Sequence, residues 1–333
     1  MIKILYSGEE ISDRRWSELA GSSSTASWFQ TLEAYHFFQS VSFLTAFALG
    51  IERDRALKGV VVGYIQADGG LVKRFLSRRA IINGGPLLAD DISEEELSRF
   101  LDALKAYLQK RVIYIETRNY VDYSRFRDVF EANGFVYEPH YDFLVDVTEG
   151  DSWEKRMESS RIRFVKSSLK NGASLVDSPT EADVKGYYAV LKELYSTKIK
   201  RPLFPLDFFL NLYHTPFCRF LLVKYQEEII GGTVCVFNEK VAYEWYVCGK
   251  DGVYKKIYPS TVATYSAISF AASHGCRYFD MMGAGAPGDG GYGVREFKAK
   301  FGGELKENGR FSYACNKVLF AVGKLGVKVL KRL

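Results

Sequence analysis

The stretch from Tyr278 to Leu305 combines a glycine-rich segment with a short basic one. Six glycines fall within Gly283 to Gly293, and Phe297, Lys298 and Lys300 follow directly. Glycine lets a backbone approach a ligand closely or move as a flap, and a lysine just beyond it can bring positive charge to a site. The same composition is equally typical of a mobile surface loop, so this stretch alone predicts either.

A second basic group lies between Trp153 and Lys170. Arg161, Arg163 and Lys166 lie two to five residues apart, and a helix would place some of them on one face. Clustered arginines suit bidentate recognition of phosphate. The alternative is a solvated basic face without a ligand.

The composition is that of a soluble globular protein with a large core. The chain has 333 residues, 47% hydrophobic and 26% charged, which predicts two domains or one large domain. The formal net charge of +5 is too small to imply nucleic-acid binding by itself.

Cysteine and histidine usage predicts a reduced, cytoplasmic protein without a metal or other cofactor. The five cysteines are scattered singly and the four histidines are far apart, so neither disulfides nor a zinc site is indicated. The N-terminus does not resemble a signal peptide, and no apolar run approaches the roughly 20 residues that span a bilayer.

The order of predicted elements repeats on the two sides of residue 150, which indicates two copies of one α/β (α+β) unit. Phe130 to Val147, FEANGFVYEPHYDFLVDV, is echoed by Phe297 to Ala314, FKAKFGGELKENGRFSYA. We therefore predict domains at 1–149 and 150–315, followed by a basic amphipathic helix at 316–333. Only the second copy carries the glycine-rich insertion and the two lysines, so we expect the chemistry there, with the insertion as a substrate lid.

Four stretches carry a resemblance to a known family: SWFQTLEAY (27–35), RRAIINGGPLL (78–88), SRIRFVKSSLKNGASLV (160–176) and FDMMGAG…GVREFKAKFGGEL (279–305). With them, the chain resembles the FemABX peptidyltransferases, which are built from two GNAT-like acyltransferase domains. The last stretch is the most specific, because the family pattern there is Asp-x-x-Gly, a loop, then Phe-Lys-x-x-Phe-Gly.

The resemblance implies two tandem GNAT-like domains, with mixed central sheets flanked by helices. The coiled-coil arm of some family members has no candidate segment in this sequence, so we expect the form without it. It implies a monomeric enzyme that moves an aminoacyl group from aminoacyl-tRNA to an amine of a UDP- or lipid-linked muropeptide. Tyr35 and Phe38 stand where the family usually has Trp and then a phosphate-binding Lys, with only His36 nearby. The identity of the acceptor therefore stays open.

Carried over residue by residue, the resemblance places Phe297 and Lys298 at the transfer site and Arg163 on acceptor phosphate. Lys298 could stabilise the developing oxyanion or bind a nearby phosphate. The spacing alone slightly favours the alternative, in which Lys298 forms a surface salt bridge with Glu296 or Glu304. Asp280 could orient a backbone group or a substrate amine. The full candidate site is catalytic Lys298, Phe297 and Asp280, with substrate-binding Arg163, Arg161, Lys166, Arg79, Tyr258, Ser260, Gly283, Gly285 and Lys300.

Two rival functions remain open. GNAT enzymes that use acyl-CoA cradle its pyrophosphate on a glycine-containing loop before a helix, whereas the corresponding segment here, 254–260, has no glycine. An N-acyltransferase that uses acyl-CoA on an amino sugar or another envelope precursor is therefore the second choice. The non-enzymatic rival is a tRNA- or membrane-binding module that has lost the chemistry.

The last predicted helix alternates apolar residues with lysines between Asn316 and Leu333. Such a helix could lie on an anionic membrane surface, where lipid-linked acceptors reside. Docking on its own domain, with solvated lysines, is at least as well supported.

Overall fold

Two mixed sheets, each flanked by helices, form the core of two units in a computed structural model of the chain. Unit 1 comprises residues 1–140 and 307–333, and unit 2 comprises residues 141–306. The structure describes residues 1–67, 77–148, 152–288 and 293–330, with the backbone alone for 324–330. The predicted fold class is confirmed.

Unit 1 has eight described strands in the order β1-β2-β3-β4-β6-β15-β7, with β5 beside β3. Neighbours are antiparallel except the parallel pair β4 and β6. Its elements are β1 (Ile2–Leu5), α1 (Asp13–Ser22), α2 (Leu32–Ser40), β2 (Thr45–Arg53), β3 (Ala56–Gln66), β4 (Arg79–Asn83), β5 (Leu87–Leu88), α3 (Glu94–Leu108), β6 (Tyr114–Arg118), α4 (Arg127–Ala132), β7 (Val136–Glu138), β15 (Arg310–Ala314) and α11 (Lys317–Leu330).

The core of unit 1 lies against helix α3. A capping box opens this helix: Ser93 Oγ accepts the Glu96 amide N–H, and the Glu96 carboxylate accepts the Ser93 N–H. Leu97, Phe100 and Leu104 recur at helical spacing and are buried in the core cluster.

Unit 2 has seven described strands in the order β14-β8-β13-β12-β11-β10-β9. The pair β12 and β13 is parallel. The pairs β8–β13, β11–β12, β10–β11 and β9–β10 are antiparallel. Its elements are β8 (Tyr141–Asp146), α5 (Ser152–Arg156), α6 (Ser159–Lys170), β9 (Ser174–Leu175), α7 (Glu181–Leu194), α8 (Leu206–Tyr213), β10 (Cys218–Tyr225), β11 (Glu228–Phe237), β12 (Val241–Gly249), α9 (Pro259–Ser273), β13 (Tyr278–Gly283), α10 (Gly293–Ala299) and β14 (Glu304–Glu307).

The unit ranges differ from the predicted domain ranges because each repeat gives its last strand to the other repeat's sheet. Strand β8 pairs with β13 in unit 2, and β15 pairs with β6 in unit 1. A strand shows the same alternating pattern whichever sheet receives it, so the sequence does not reveal this exchange. The predicted boundary itself, at 149–150, lies outside the described residues.

The predicted helix over 153–170 is divided in the structure into α5 and α6, with Met157 and Glu158 between them. Searching the described residues finds no helix that is both long and apolar enough to cross a membrane.

Candidate active site

Strands β12 and β13 of unit 2 run side by side for three residues and then separate. Their parallel pairing ends at Tyr243 and Asp280, although β12 continues to Gly249 and β13 to Gly283. At the same level β12 carries a bulge at Trp245 in its pairing with β11, and the pairing of β13 with β8 shifts register between Asp280 and Gly283. Because bulges bend and twist strands, they open the sheet here.

The ammonium group of Lys298 binds the backbone at the end of β13. Its Nζ donates to the carbonyl oxygens of Met281, Met282 (3.1 Å) and Gly283 (3.0 Å). Met282 has a φ of +54°, which a non-glycine residue adopts at a cost, so this turn needs support. An ammonium has three protons, and all three are directed at carbonyls that no longer have β12 as a neighbour.

Lys298 is buried, with 6% of its surface exposed. The predicted alternative of a surface salt bridge is therefore wrong; Glu304 instead pairs with Lys306 at 2.5 Å. Burial lowers the pKa of Lys298, while the nearby carboxyls of Glu244, Asp142 and Asp280 oppose that effect.

Three buried acids surround this charge. Burial and the neighbouring Asp142 raise the pKa of Asp280 well above its usual range, and its Oδ1 accepts the Met282 amide N–H at 2.6 Å. Burial also raises the pKa of Glu244 to about 6, although Thr264 Oγ1 donates to its Oε1 at 2.8 Å. Burial thus opposes ionisation of both Asp280 and Glu244, next to a single buried cation.

Arg295 holds the next part of the glycine-rich stretch. Its Nε donates to the Ala284 carbonyl at 2.8 Å and its Nη2 to the Ala286 carbonyl at 2.5 Å. The backbone of Tyr141 adds two bonds, donating to the Gly285 carbonyl (2.9 Å) and accepting the Ala284 N–H (2.6 Å). The predicted lid thus begins with an anchored segment, and its residues 289–292 lie outside the described part of the chain.

Arg161 points toward helix α10. Its guanidinium carbon lies 4.9 Å from the centre of the Phe297 ring, and Nη1 donates to Thr261 Oγ1 at 3.0 Å. Burial lowers its pKa. The structure thus joins Arg161 to the residue that precedes Lys298, whereas Arg163 and Lys166 on the same helix are exposed.

The N-terminus of α9 already holds a carboxylate. Asp251 accepts the Ser260 amide N–H at 3.3 Å and also the Ser260 hydroxyl. Tyr258, just before the helix, stacks on Phe164 with ring centres 4.0 Å apart and donates its N–H to Ser168 Oγ at 2.9 Å. Because helix N-termini attract anions, Asp251 satisfies the anion preference of this end of α9 from within the chain.

Arg79 belongs to unit 1, on β4, whereas the other candidates belong to unit 2. Two further arginines flank Glu116 in that sheet: Arg118 Nε donates to it at 2.6 Å, and Arg310 Nη1 lies 3.8 Å away. Burial opposes ionisation of Glu116, but Arg118 and Arg310, with Arg79 adding a smaller effect, keep its pKa below the usual value. Arg79, Arg118 and Arg310 are distant in sequence, and only the strand order β4-β6-β15 brings them to neighbouring strands.

Of the other candidates, Asp280, Gly283, Gly285, Phe297 and Lys298 come together at the separated strands. Lys300 forms a 3.8 Å ion pair with Glu158. Sequence reasoning missed Arg295, Glu244 and Asp142. Arg295 lies three residues before Lys298 on a helix, and this spacing could have indicated that the two side chains lie on one face. Glu244 and Asp142 lie on strands distant in sequence, so no sequence pattern indicated them.

Comparison with known proteins supports the predicted resemblance. Residues 219–328, which contain β12, β13 and α10, match the profile of the FemAB family. No significant match was found among curated protein sequences.

Solved structures with the same fold cover nearly the whole chain. The crystal structure of FemX has a TM-score of 0.73 at 15% identity, covering 96% of this chain and 99% of that one. A tandem GNAT protein from the clavulanic acid biosynthesis pathway has a TM-score of 0.60 at 10% identity, covering 95% and 99%. L-PGS from Bacillus licheniformis has a TM-score of 0.57 at 14% identity, covering 94% and 96%. These likenesses establish a tandem GNAT-like fold.

The raised pKa of Glu244 predicts a pH-dependent stability. Because its folded-state pKa of about 6 lies above its ordinary value of 4.5, its contribution to the unfolding free energy is full below pH 4.5 and is lost as the pH rises through 6. The stability of wild type relative to Glu244→Gln should therefore fall by about 2 kcal/mol between pH 4.5 and about pH 7, measured by urea unfolding.

Glu239→Gln is the matched control, because the side chain of Glu239 is exposed and forms no salt bridge in the described part of the chain. Its difference from wild type should not change over that pH range. A Glu244→Gln difference that is equally constant would contradict the assigned burial of Glu244.

Proposed function

We propose that this chain is an aminoacyltransferase that moves an amino acid from aminoacyl-tRNA to an amine of a peptidoglycan precursor, as in interpeptide bridge formation. One observation carries the proposal. The segment that matches the FemAB family contains both the separated strands and the Lys298-bound turn. The region with the unusual geometry is therefore also the region with the family signature.

The reaction requires few groups. The acceptor amine attacks the ester carbonyl carbon and loses a proton, the ester C–O bond breaks, and the ribose hydroxyl of the tRNA leaves with a proton. The site must hold the amine in line and stabilise the oxyanion of the tetrahedral intermediate. Lys298 supplies a fixed positive charge for that oxyanion. Since its protons bind Met281, Met282 and Gly283, it also sets the shape of the turn.

Asp280 and Phe297 complete the proposed transfer point. Asp280 fixes the same turn from the other side through the Met282 amide. Phe297 is positioned by Arg161, and Gly283 and Gly285 give the substrate close access to the backbone. Arg163, Lys166 and Lys300 in unit 2 and, separately, Arg79 in unit 1 are proposed as ligands of substrate phosphates. Tyr258 and Ser260, at the start of α9, are proposed as further substrate contacts.

The start of α9 supports aminoacyl-tRNA over acyl-CoA as the donor. A CoA pyrophosphate at this helix would meet the carboxylate of Asp251, which already accepts two hydrogen bonds from Ser260. Two like charges at one helix terminus repel, and the segment 254–260 offers no glycine for the loop to rearrange. No contact described here favours acyl-CoA.

We further propose that α11 rests on an anionic bilayer and brings the enzyme to lipid-linked acceptors. Phe320 packs on Tyr114 with ring centres 5.1 Å apart, which attaches the helix to unit 1. Val318 and Val322, one turn apart on another face, are 73% and 59% exposed. Five cations lie in the sequence from residue 317 to the last residue: the exposed Lys317, then Lys324, Lys328, Lys331 and Arg332. Exposed apolar residues beside lysines suit a lipid surface.

Replacing Lys298 tests the transfer site. Lys298→Ala should lower kcat on the order of 10²–10³-fold, because it removes the fixed charge and frees the turn. The measurement is amino-acid transfer from a panel of aminoacyl-tRNAs to UDP-linked and lipid-linked muropeptides. Lys306→Ala, whose side chain is exposed on β14, is the control and should keep wild-type activity.

If folded wild type transfers no amino acid with any pair of donor and acceptor, the proposed function is contradicted. Full activity of Lys298→Ala would remove Lys298 from it. Retained substrate binding with lost transfer in Lys298→Ala would argue against the purely binding module.

Replacing the exposed valines tests the membrane proposal. Wild type should float with vesicles that contain phosphatidylglycerol, and Val318→Glu/Val322→Glu should not, because two apolar contacts become anionic. Val136→Glu, at a valine 59% exposed on β7, should float like wild type. If wild type remains unbound, or if the double variant floats equally well, α11 is not a membrane contact.

A further inference from the structure

Helix α6 and the loop before α9 share an exposed basic surface. Arg163, Lys166 and Lys170 follow at intervals of three and four residues, so they lie on one face of α6, and all are exposed. Lys255 and Lys256, also exposed, lie in the loop that precedes α9. Ser167 Oγ donates to the Lys256 carbonyl at 3.0 Å and holds the loop against the helix. We call these five cations the α6 patch.

None of these five cations forms a salt bridge in the described part of the chain, although Arg163 is among the cations that lower the pKa of Glu158. Elsewhere, cations are neutralised: Arg53 and Lys58 in unit 1 both pair with Asp91. Cations that form no salt bridge can neutralise the phosphates of a nucleic acid, which then releases the counterions condensed on it. The modest net charge of +5 therefore conceals a local concentration of positive charge.

The α6 patch adjoins the proposed transfer point. Arg161 lies on the same helix, two residues before Arg163, and its guanidinium covers the ring of Phe297, next to Lys298. The stacked pair of Phe164 and Tyr258 lies between the helix and the loop, and Arg163 lies 5.7 Å from the centre of the Phe164 ring. Cations with interspersed aromatic rings are typical of sites for single-stranded nucleic acid.

We propose that the α6 patch binds the backbone phosphates of the single-stranded 3′ end of the tRNA donor. This inference rests on the proposed function, because the reactive ester is at the 3′ end and the phosphates must lead away from the transfer point. It assigns the exposed Arg163 and Lys166 to the donor rather than to the acceptor. Leu169 and Val253 are also exposed near these cations, so a bilayer is the competing occupant and an arm of the test.

The first experiment measures binding of a deacylated RNA hairpin with a single-stranded CCA end by fluorescence anisotropy over a range of KCl concentrations. Lys166→Gln/Lys170→Gln should raise Kd on the order of tenfold near 0.1 M salt and reduce the salt slope by about 1.4, since each single-strand phosphate contact contributes about 0.7. Lys185→Gln/Lys192→Gln removes the same charge from exposed positions of α7 and should leave both quantities unchanged.

If both double variants weaken hairpin binding equally, the proposal is overturned, because net charge alone then explains the effect. The proposal is also overturned if wild type does not bind the hairpin. It is overturned as well if Lys166→Gln/Lys170→Gln weakens binding to phosphatidylglycerol vesicles but not to the hairpin.

A second experiment separates this proposal from the proposed function. Lys166→Gln/Lys170→Gln should raise KM for aminoacyl-tRNA but leave transfer from 3′-aminoacyl-adenosine, which lacks the phosphates, at the wild-type rate. Equal loss with both donors would contradict the α6 patch as an RNA site. Patch-dependent RNA binding without transfer from either donor would support the patch and contradict the aminoacyltransferase.

Discussion

The contact of one buried ammonium with three consecutive carbonyls is the interaction on which the candidate site depends. Once β12 and β13 separate, the carbonyls of Met281, Met282 and Gly283 have no neighbouring strand on that side to satisfy them. Leaving buried carbonyls unpaired costs about 1–3 kcal/mol each. Lys298 satisfies all three at once, and it can do so only because α10 returns the chain to the end of β13.

The buried charge is tolerated because acids surround it. Asp280 fixes the turn through the Met282 amide, while Glu244 and Asp142 oppose the effect of burial on Lys298. Arg295 extends the same arrangement by one helical turn to Ala284 and Ala286. Two cations of α10 thus hold five carbonyls, so the glycine-rich stretch leaves β13 in a defined direction. The proposed transfer, which aligns an amine with an ester, requires that rigidity.

The sequence predicted the repeat and the GNAT-like fold, and it made Phe297 and Lys298 candidates, because these depend on local patterns and on a specific motif. It did not predict the partners of Lys298, since backbone carbonyls have no sequence signature. Glu244 and Asp142 were missed because only the sheet order brings β12 and β8 to either side of β13. The exchange of β8 and β15 was hidden for a related reason, because strand pairing is not encoded in a strand's own alternation.

The most direct measurement is a crystal structure of the protein with a non-hydrolysable 3′-aminoacylamino-adenosine. Our account predicts density in unit 2 at the separated ends of β12 and β13, with the aminoacyl carbonyl beside the turn of residues 281–283 and the adenosine toward α6. Lys298 Nζ should remain bound to its three carbonyls. An analogue bound away from this turn, or a Lys298 side chain that leaves the carbonyls in the complex, would contradict the account.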